Sequence, residues 1–383
     1  MTTRLSRSAR EALALVGALS AAAWSGCAAA DSVPGPGEGA AAAPLAAGDP
    51  AALAAPLAAG DTAGLAATLA APSTETTLLL SAAWGDGPGA FGVDLSDEGA
   101  RPGPMAFTFD AAGRLVVLDT MNERLQRFDV AHGGGALIDA AHGGGTPIDV
   151  AHGGGALIDV VALPPGLGED VAAAPDGGVF VLEFRTGDGA GGELYDVVRV
   201  SADGKVTASY DVWVPQPTGL FVAGNDVLVE SRHGPLFRVA RLDGHPVTAA
   251  EQADPVAAGR PDRSAPGRTW EARKDGDTVR FVAHDAAGAP AGKFALAAPG
   301  ALLSLFALDT DAAGDVFAGL YVDDRAVVAV AAPDGTLRGA AAVDPVRWSD
   351  ARRFLAVRSD GALVEMQTSP DGVKFVEVLW RSR

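Results

Sequence analysis

The sequence predicts an all-β fold, a six-bladed β-propeller, on three observations: short apolar runs punctuated by turn residues, a repeat interval near 45 residues, and chain ends that complete each other. From Thr76 onward, apolar runs of four to seven residues are separated by Asp-Gly, Asn-Asp and Gly-Gly turns, with no sustained 3.6-residue period. Strands bounded by turn residues produce that texture.

The interval is read from a glycine that closes the turn before one strong strand in each unit. These are Gly113 before RLVVLD, Gly178 before VFVLEF, Gly224 before NDVLVES, Gly267 before RTWEAR, Gly314 before DVFAGLY and Gly361 before ALVEMQ. Successive gaps are 65, 46, 43, 47 and 47 residues. The long gap holds a decapeptide in three copies, DVAHGGGALI from Asp129, DAAHGGGTPI from Asp139 and DVAHGGGALI from Asp149. Without two of them the gap is 45, so residues 129–158 read as a hairpin loop lengthened by duplication. Units of about 40 to 50 residues are blade-sized, whereas a sandwich takes roughly 100 residues as one unit.

The ends supply the third observation. The last unit shows three strands, Phe354 to Arg358, Ala362 to Gln367 and Val373 to Leu379, while the strand Thr77 to Ala83 has no unit of its own. It is expected to be the missing fourth strand, closing the ring and removing its free edges. Unit four, about 254–299, has the least distinct first strand, in a segment rich in Pro, Arg and Asp.

Composition bounds what such a chain does. With 48 % hydrophobic and 20 % charged residues, the 383-residue chain has ample material for a core. Its formal charge of −19, with no basic cluster, argues against nucleic acid as a partner. One cysteine excludes an intrachain disulfide and a cysteine-built zinc site.

That cysteine is part of an address. Arg4, Arg7 and Arg10 precede an uncharged run from Ala12 to Trp24, the shape of a secretory signal over residues 1–26. Thirteen residues make a helix of only about 20 Å, against roughly 30 Å of hydrocarbon, so the run is not a membrane span. Trp24-Ser25-Gly26-Cys27 resembles the lipobox of bacterial lipoproteins, although that family usually has Leu where Trp24 stands. The resemblance implies that Cys27 is diacylated and becomes the mature N-terminus, with Ala28 after it favouring outer-membrane release. The competing reading is cleavage after Ala28-Ala29-Ala30 and loss of the thiol. Residues 27–75 then read as an Ala/Pro/Gly tether with the tandem copy PLAAGDPAALAA and PLAAGDTAGLAA, a flexible spacer rather than a helical hairpin. The propeller occupies 76–383.

Within the first unit, GPMAFTFDAAGRLVVLDTMNERLQRFD resembles an NHL repeat at Pro104, Phe107 to Asp110, Gly113, Leu115 to Leu118, Asp119, Asn122, Arg124 and Leu125. The other units match loosely. The resemblance implies a six-bladed propeller with a binding or scaffolding role, in a family that also includes enzymes.

The most regular polar feature is an acid followed closely by arginine at the end of the strong strand: Asp119 with Arg124, Glu183 with Arg185, Glu230 with Arg232, Glu271 with Arg273, Asp323 with Arg325. At i, i+2 on an extended strand both side chains share one face. They read either as latches fixing each hairpin to the next blade or as a mixed-charge rim that docks a ligand. An enzyme would need convergent ligands on the axis, and Asp119, Glu183, Glu230 and Glu365 are the candidates for holding a divalent cation. Isolated His233, His245 and His284 read as loop histidines, and His132, His142 and His152 beside triple glycines lack a framework for metal. No GxSxG elbow, HExxH motif or phosphate loop occurs in a credible context.

The expected function is non-catalytic recognition of a protein, peptide or glycan at the cell envelope, with no cofactor. The alternative is a propeller hydrolase or lyase with a cation in the axial funnel. A polar funnel with metal would favour the enzyme, and a plugged axis with a charged rim would favour binding.

Overall fold

The computed structural model describes residue 69 and residues 71–95, 101–130, 155–186, 193–232, 234–245, 247–344 and 348–380. The signal segment, Cys27, the tether up to residue 68, decapeptide residues 131–154 and His233 lie outside the described residues.

Six four-stranded antiparallel sheets form a six-bladed β-propeller. Blade 1 is β2 (Ala106–Phe109), β3 (Leu115–Asp119), β4 (Arg124–Asp129) and β5 (Ala156–Ala162). Blade 2 is β6 (Leu167–Ala173), β7 (Val179–Thr186), β8 (Glu193–Val200) and β9 (Val206–Val212). Blade 3 is β10 (Pro217–Ala223), β11 (Asp226–Ser231), β12 (Pro235–Arg241) and β13 (Ala257–Ala258). Blade 4 is β14 (Arg260–Pro261), β15 (Thr269–Asp275), β16 (Thr278–His284) and β17 (Pro290–Ala297). Blade 5 is β18 (Leu302–Thr310), β19 (Val316–Val322), β20 (Arg325–Ala331) and β21 (Leu337–Val343). Blade 6 is β22 (Leu355–Val357), β23 (Leu363–Ser369) and β24 (Gly372–Val378), and β1 (Thr76–Ala82) pairs antiparallel with β24 from Thr76↔Val378 to Ala82↔Val373. The opening strand therefore closes the ring.

The first strands β22, β2, β6, β10, β14 and β18 each touch the next in an unbroken circle, so they line the axis. Because every blade is an antiparallel meander, these strands run the same way. One face of the ring gathers their starts together with the ends of the second strands. The opposite face gathers their ends and the glycine turns.

Those turns have a shared chemistry. Asp110 Oδ1 accepts from the N–H groups of Ala112 and Arg114, and Asp311 Oδ1 from those of Ala313 and Asp315. An Asp that folds back on its own backbone and a glycine in the left-handed region make a tight reversal between first and second strands. Gly113, Gly224, Gly267, Gly314 and Gly361 all take positive φ, but in blade 2 it is Gly177, at φ 82, rather than Gly178.

Two expectations change. The decapeptide segment 129–158 is loop only in part: Asp129 ends β4, and Ala156 to Asp159, from the third copy onward, begin β5, where Asp159 pairs with Arg127 at 2.5 Å. The indistinct first strand of unit four is real but two residues long, with one further bond beyond it from Asp262 N–H to Arg268 O.

Apolar clusters fill the seams between blades. Phe107, Phe128, Met366 and Phe375 bind blade 1 to blade 6, and Trp270, Phe281, Val316 and Leu320 bind blade 4 to blade 5. Each fully buried large side chain is worth about 1.5–3 kcal/mol. Further clusters join blades 1 and 2, 2 and 3, and 5 and 6. Among the described residues no such cluster joins blades 3 and 4; Arg260 of β14 instead reaches Glu230 of β11 at 3.1 Å.

Candidate functional site

A cavity of about 960 Å³ follows the axis. Its lining also reaches outward past Phe109 to Thr77, Leu78 and Leu79 of β1, so part of the volume is a crevice between blades rather than axial channel.

Two consecutive arginines bar the axis. Arg352 and Arg353 stand just before β22 in blade 6, where the backbone N–H of each donates to Met105 O of blade 1. Both side chains cross to the opposite side of the ring. Arg353 meets Asp170 of β6 at 2.6 Å and donates to the carbonyls of Val171 and Leu220. Arg352 meets Glu169 at 2.7 Å and donates to Pro217 O. Asp170 is further held by the N–H groups of Val171 and Leu220, so both of its oxygens are engaged. Charge-assisted bonds of this kind are short and strong, and here they span blades 6, 2 and 3.

A third guanidinium joins them. Arg260 lies over the Phe221 ring at 4.6 Å, and Arg353 lies over the same ring at 5.3 Å. Nearer the opposite face, Arg263 donates to Val357 O of blade 6 and meets Asp309 of blade 5 at 2.7 Å, and Arg358 meets Asp360 at 2.6 Å. Fixed arginine–carboxylate pairs thus line the cavity from end to end. Arg263, Arg352 and Arg353 do not stand out in the sequence, because their carboxylate partners lie 46 to 183 residues away.

The acid–arginine positions have separate fates. Asp119 and Arg124 meet at 2.7 Å, both buried, and hold the chain that follows β1. Arg124 donates to the carbonyls of Asp86, Gly87 and Ala90, Gln126 donates to Ala90 O, and Asp119 accepts from Gly92 N–H and from Asn122. Burial pushes the Asp119 carboxyl up, against the pull of Asn122, Arg124 and the Gly92 N–H. Glu271 and Arg273 pair directly on the surface, with His284 Nε2 3.4 Å from the same carboxylate.

Two of the remaining three are partnered otherwise than the spacing suggests. Arg185 pairs with Asp196 of β8 rather than with Glu183. Glu230 faces Arg260 of the next blade, while exposed Arg232 lies past the end of β11, its backbone N–H bound to Gln216 O. Asp323 sits in the β19–β20 turn at φ 54 and accepts from Ala301 N–H. Spacing along one strand misses these partners because they come from neighbouring strands and blades.

Glu183 is the outlier. It is 2 % exposed, and no hydrogen bond reaches its carboxyl among the described residues. Burial pushes it up to about 7, the Arg185 charge pulls it down, and Glu123 pushes it up further. The four residues considered for a cation do not converge. Asp119 and Glu230 are taken by arginines, and Glu365 accepts from Asp344 N–H and Gln367. Among the described residues no three His, Cys, Asp or Glu side chains are grouped to hold a metal.

No family model matches the chain, and no curated protein does. Solved structures do resemble it. A PQQ-bound aldose sugar dehydrogenase from Streptomyces coelicolor is 12 % identical, with 81 % of this chain and 100 % of that one covered at a TM-score of 0.42. A calcium-binding regucalcin from Agrobacterium tumefaciens is 15 % identical, with 79 % and 98 % covered at 0.37. Hydrazine synthase from Kuenenia stuttgartiensis is 12 % identical, with 71 % and 76 % covered at 0.41. Such distant likenesses say nothing about the chemistry of this chain.

Proposed function

We propose that this protein is an exported, lipid-anchored propeller that recognises a protein, peptide or glycan at the cell envelope without transforming it. The observation that supports this most is the barred axis: Arg352 and Arg353 cross it and are bound by carboxylates and carbonyls of blades 2 and 3. Carboxylates held by arginines in this way are poor general bases, while the arginines keep N–H groups with which to position a partner. The Glu271–Arg273 pair supplies exposed mixed charge for docking. The resemblance of the first unit to an NHL repeat agrees with a scaffolding role.

The anchor rests on Arg4, Arg7, Arg10, the run to Trp24 and Cys27. Two or more acyl chains on the mature N-terminus would give stable attachment, which one chain would not. Growth with an alkyne fatty acid should label the chain, and Cys27→Ala should abolish the label; labelling that survives the substitution refutes the anchor. Binding without turnover is tested by incubating the full chain with arrays of envelope glycans and peptides, and analysing every bound compound by mass spectrometry. A bound compound recovered intact fits the proposal. One recovered cleaved, with chelator-sensitive turnover, overturns it in favour of the axial hydrolase or lyase.

A further inference from the structure

The axial cavity holds a polar constellation that the rim does not need, and it deepens the binding reading on which it rests. Arg260, Arg352 and Arg353 arrive from blades 4 and 6 and converge on one five-residue stretch of β10. Arg352 donates to Pro217 O, Arg353 donates to Leu220 O, and Arg260 covers the Phe221 ring with its Nη1 3.3 Å from where a side chain on Gly219 would begin. All three line the same cavity.

The donors and acceptors there are unequal. Asp170 already accepts from two backbone N–H groups and from Arg353, Glu169 is held by Arg352, and Glu230 meets Arg260 at 3.1 Å. Each guanidinium carries five N–H groups, and Arg353 spends three bonds on Asp170, Val171 and Leu220. The side chains of Arg260, Arg352 and Arg353 remain 29 %, 26 % and 21 % exposed, enough to reach a solute. What faces the cavity is surplus donor capacity, pre-oriented by fixed partners and an aromatic ring.

We propose that these three arginines form a subsite for a ligand carboxylate inside the axial cavity. A planar carboxylate matches the guanidinium fork, and fixing the fork beforehand lowers the ordering cost of binding. Asp170 and Glu169 need not be displaced, since the free N–H groups suffice. The carboxylate could come from an acidic sugar or from a peptide C-terminus, and the probes separate these sources.

The test uses the full chain and titration calorimetry with four probes: tri-galacturonic acid, its methyl ester, tri-alanine and tri-alanine amide. The expected result is that one acid binds at least about tenfold tighter than its neutral counterpart, and that added salt weakens it. Arg260→Gln and Arg353→Gln should each remove most of that preference, while Arg338→Gln on the outer strand β21 should not. Arg353 is a cross-axis strut, so if its variant fails to fold, Arg260→Gln, whose ion pair is looser, decides. The subsite is overturned if neither acid outbinds its neutral form, or if folded Arg260→Gln keeps the full preference. Probe recovered chemically changed would instead refute recognition without turnover and leave the subsite standing.

Discussion

Substituting Glu183 by Gln should stabilise the protein, and only above acidic pH. The carboxyl is buried beside Gly166 without a hydrogen bond among the described residues, and its pKa is pushed up to about 7 from an ordinary 4.5. Below pH 4.5 the proton is on in both folded and unfolded chains, and the group is neutral to stability. Between 4.5 and 7 the unfolded chain releases its proton first, so the folded state holds more protons and stability falls as pH rises. Above 7 the penalty is constant. A gap of that size corresponds to about 3 kcal/mol. Glutamine keeps the shape and cannot ionise, so Glu183→Gln should gain up to about 3 kcal/mol over the native chain at pH 8 and nothing at pH 4. Urea unfolding of both proteins from pH 4 to pH 8 measures the difference. A gain independent of pH, or a loss at pH 8, would show that the carboxylate is compensated in the folded state and that the reasoning is wrong.

Three further outcomes follow from the same geometry. Asp119→Ala leaves Arg124 buried without its counter-charge and frees the chain around Gly92, so it should cost about 3–5 kcal/mol in urea unfolding. Arg273→Gln removes a partner whose side chain is 65 % exposed and should cost less than about 1 kcal/mol in the same assay. Gly259→Ala should lower the melting temperature clearly, because at φ 80 a Cβ would lie 2.3 Å from Trp270 O, and calorimetry would show it.

Much of the fold was legible because the turn chemistry is local. Asp110 and Gly113, or Asp311 and Gly314, build the same reversal from residues within five positions of each other, so the interval between turns reports the blade. Gly178 was the wrong glycine by one residue because two adjacent glycines offer the turn and only Gly177 takes positive φ. The short β14 was hard to read because a Pro and a close backbone approach at Gly259 leave little apolar pattern. The axial arginines were illegible for the opposite reason. Arg353 and Asp170 are joined only once the ring has closed, and nothing in their flanking residues announces a partner 183 positions away.

The acids at the ends of the second strands show why a repeated position does not carry a repeated role. Counted from the left-handed glycine of each turn, Asp119, Glu183 and Glu230 all stand six residues on, from Gly113, Gly177 and Gly224. Three consecutive blades therefore deliver a carboxyl to one depth of the ring. What each meets there is set by the next blade and the connecting chain. Asp119 finds Arg124, Asn122 and the backbone of Gly92 and becomes a clamp. Glu230 finds Arg260 across the one seam without an apolar cluster among the described residues. Glu183 loses Arg185 to Asp196 and keeps its proton near neutral pH. Backbone symmetry fixes where charge is placed, and the asymmetry of the partners decides whether that charge stabilises, bridges or burdens the ring.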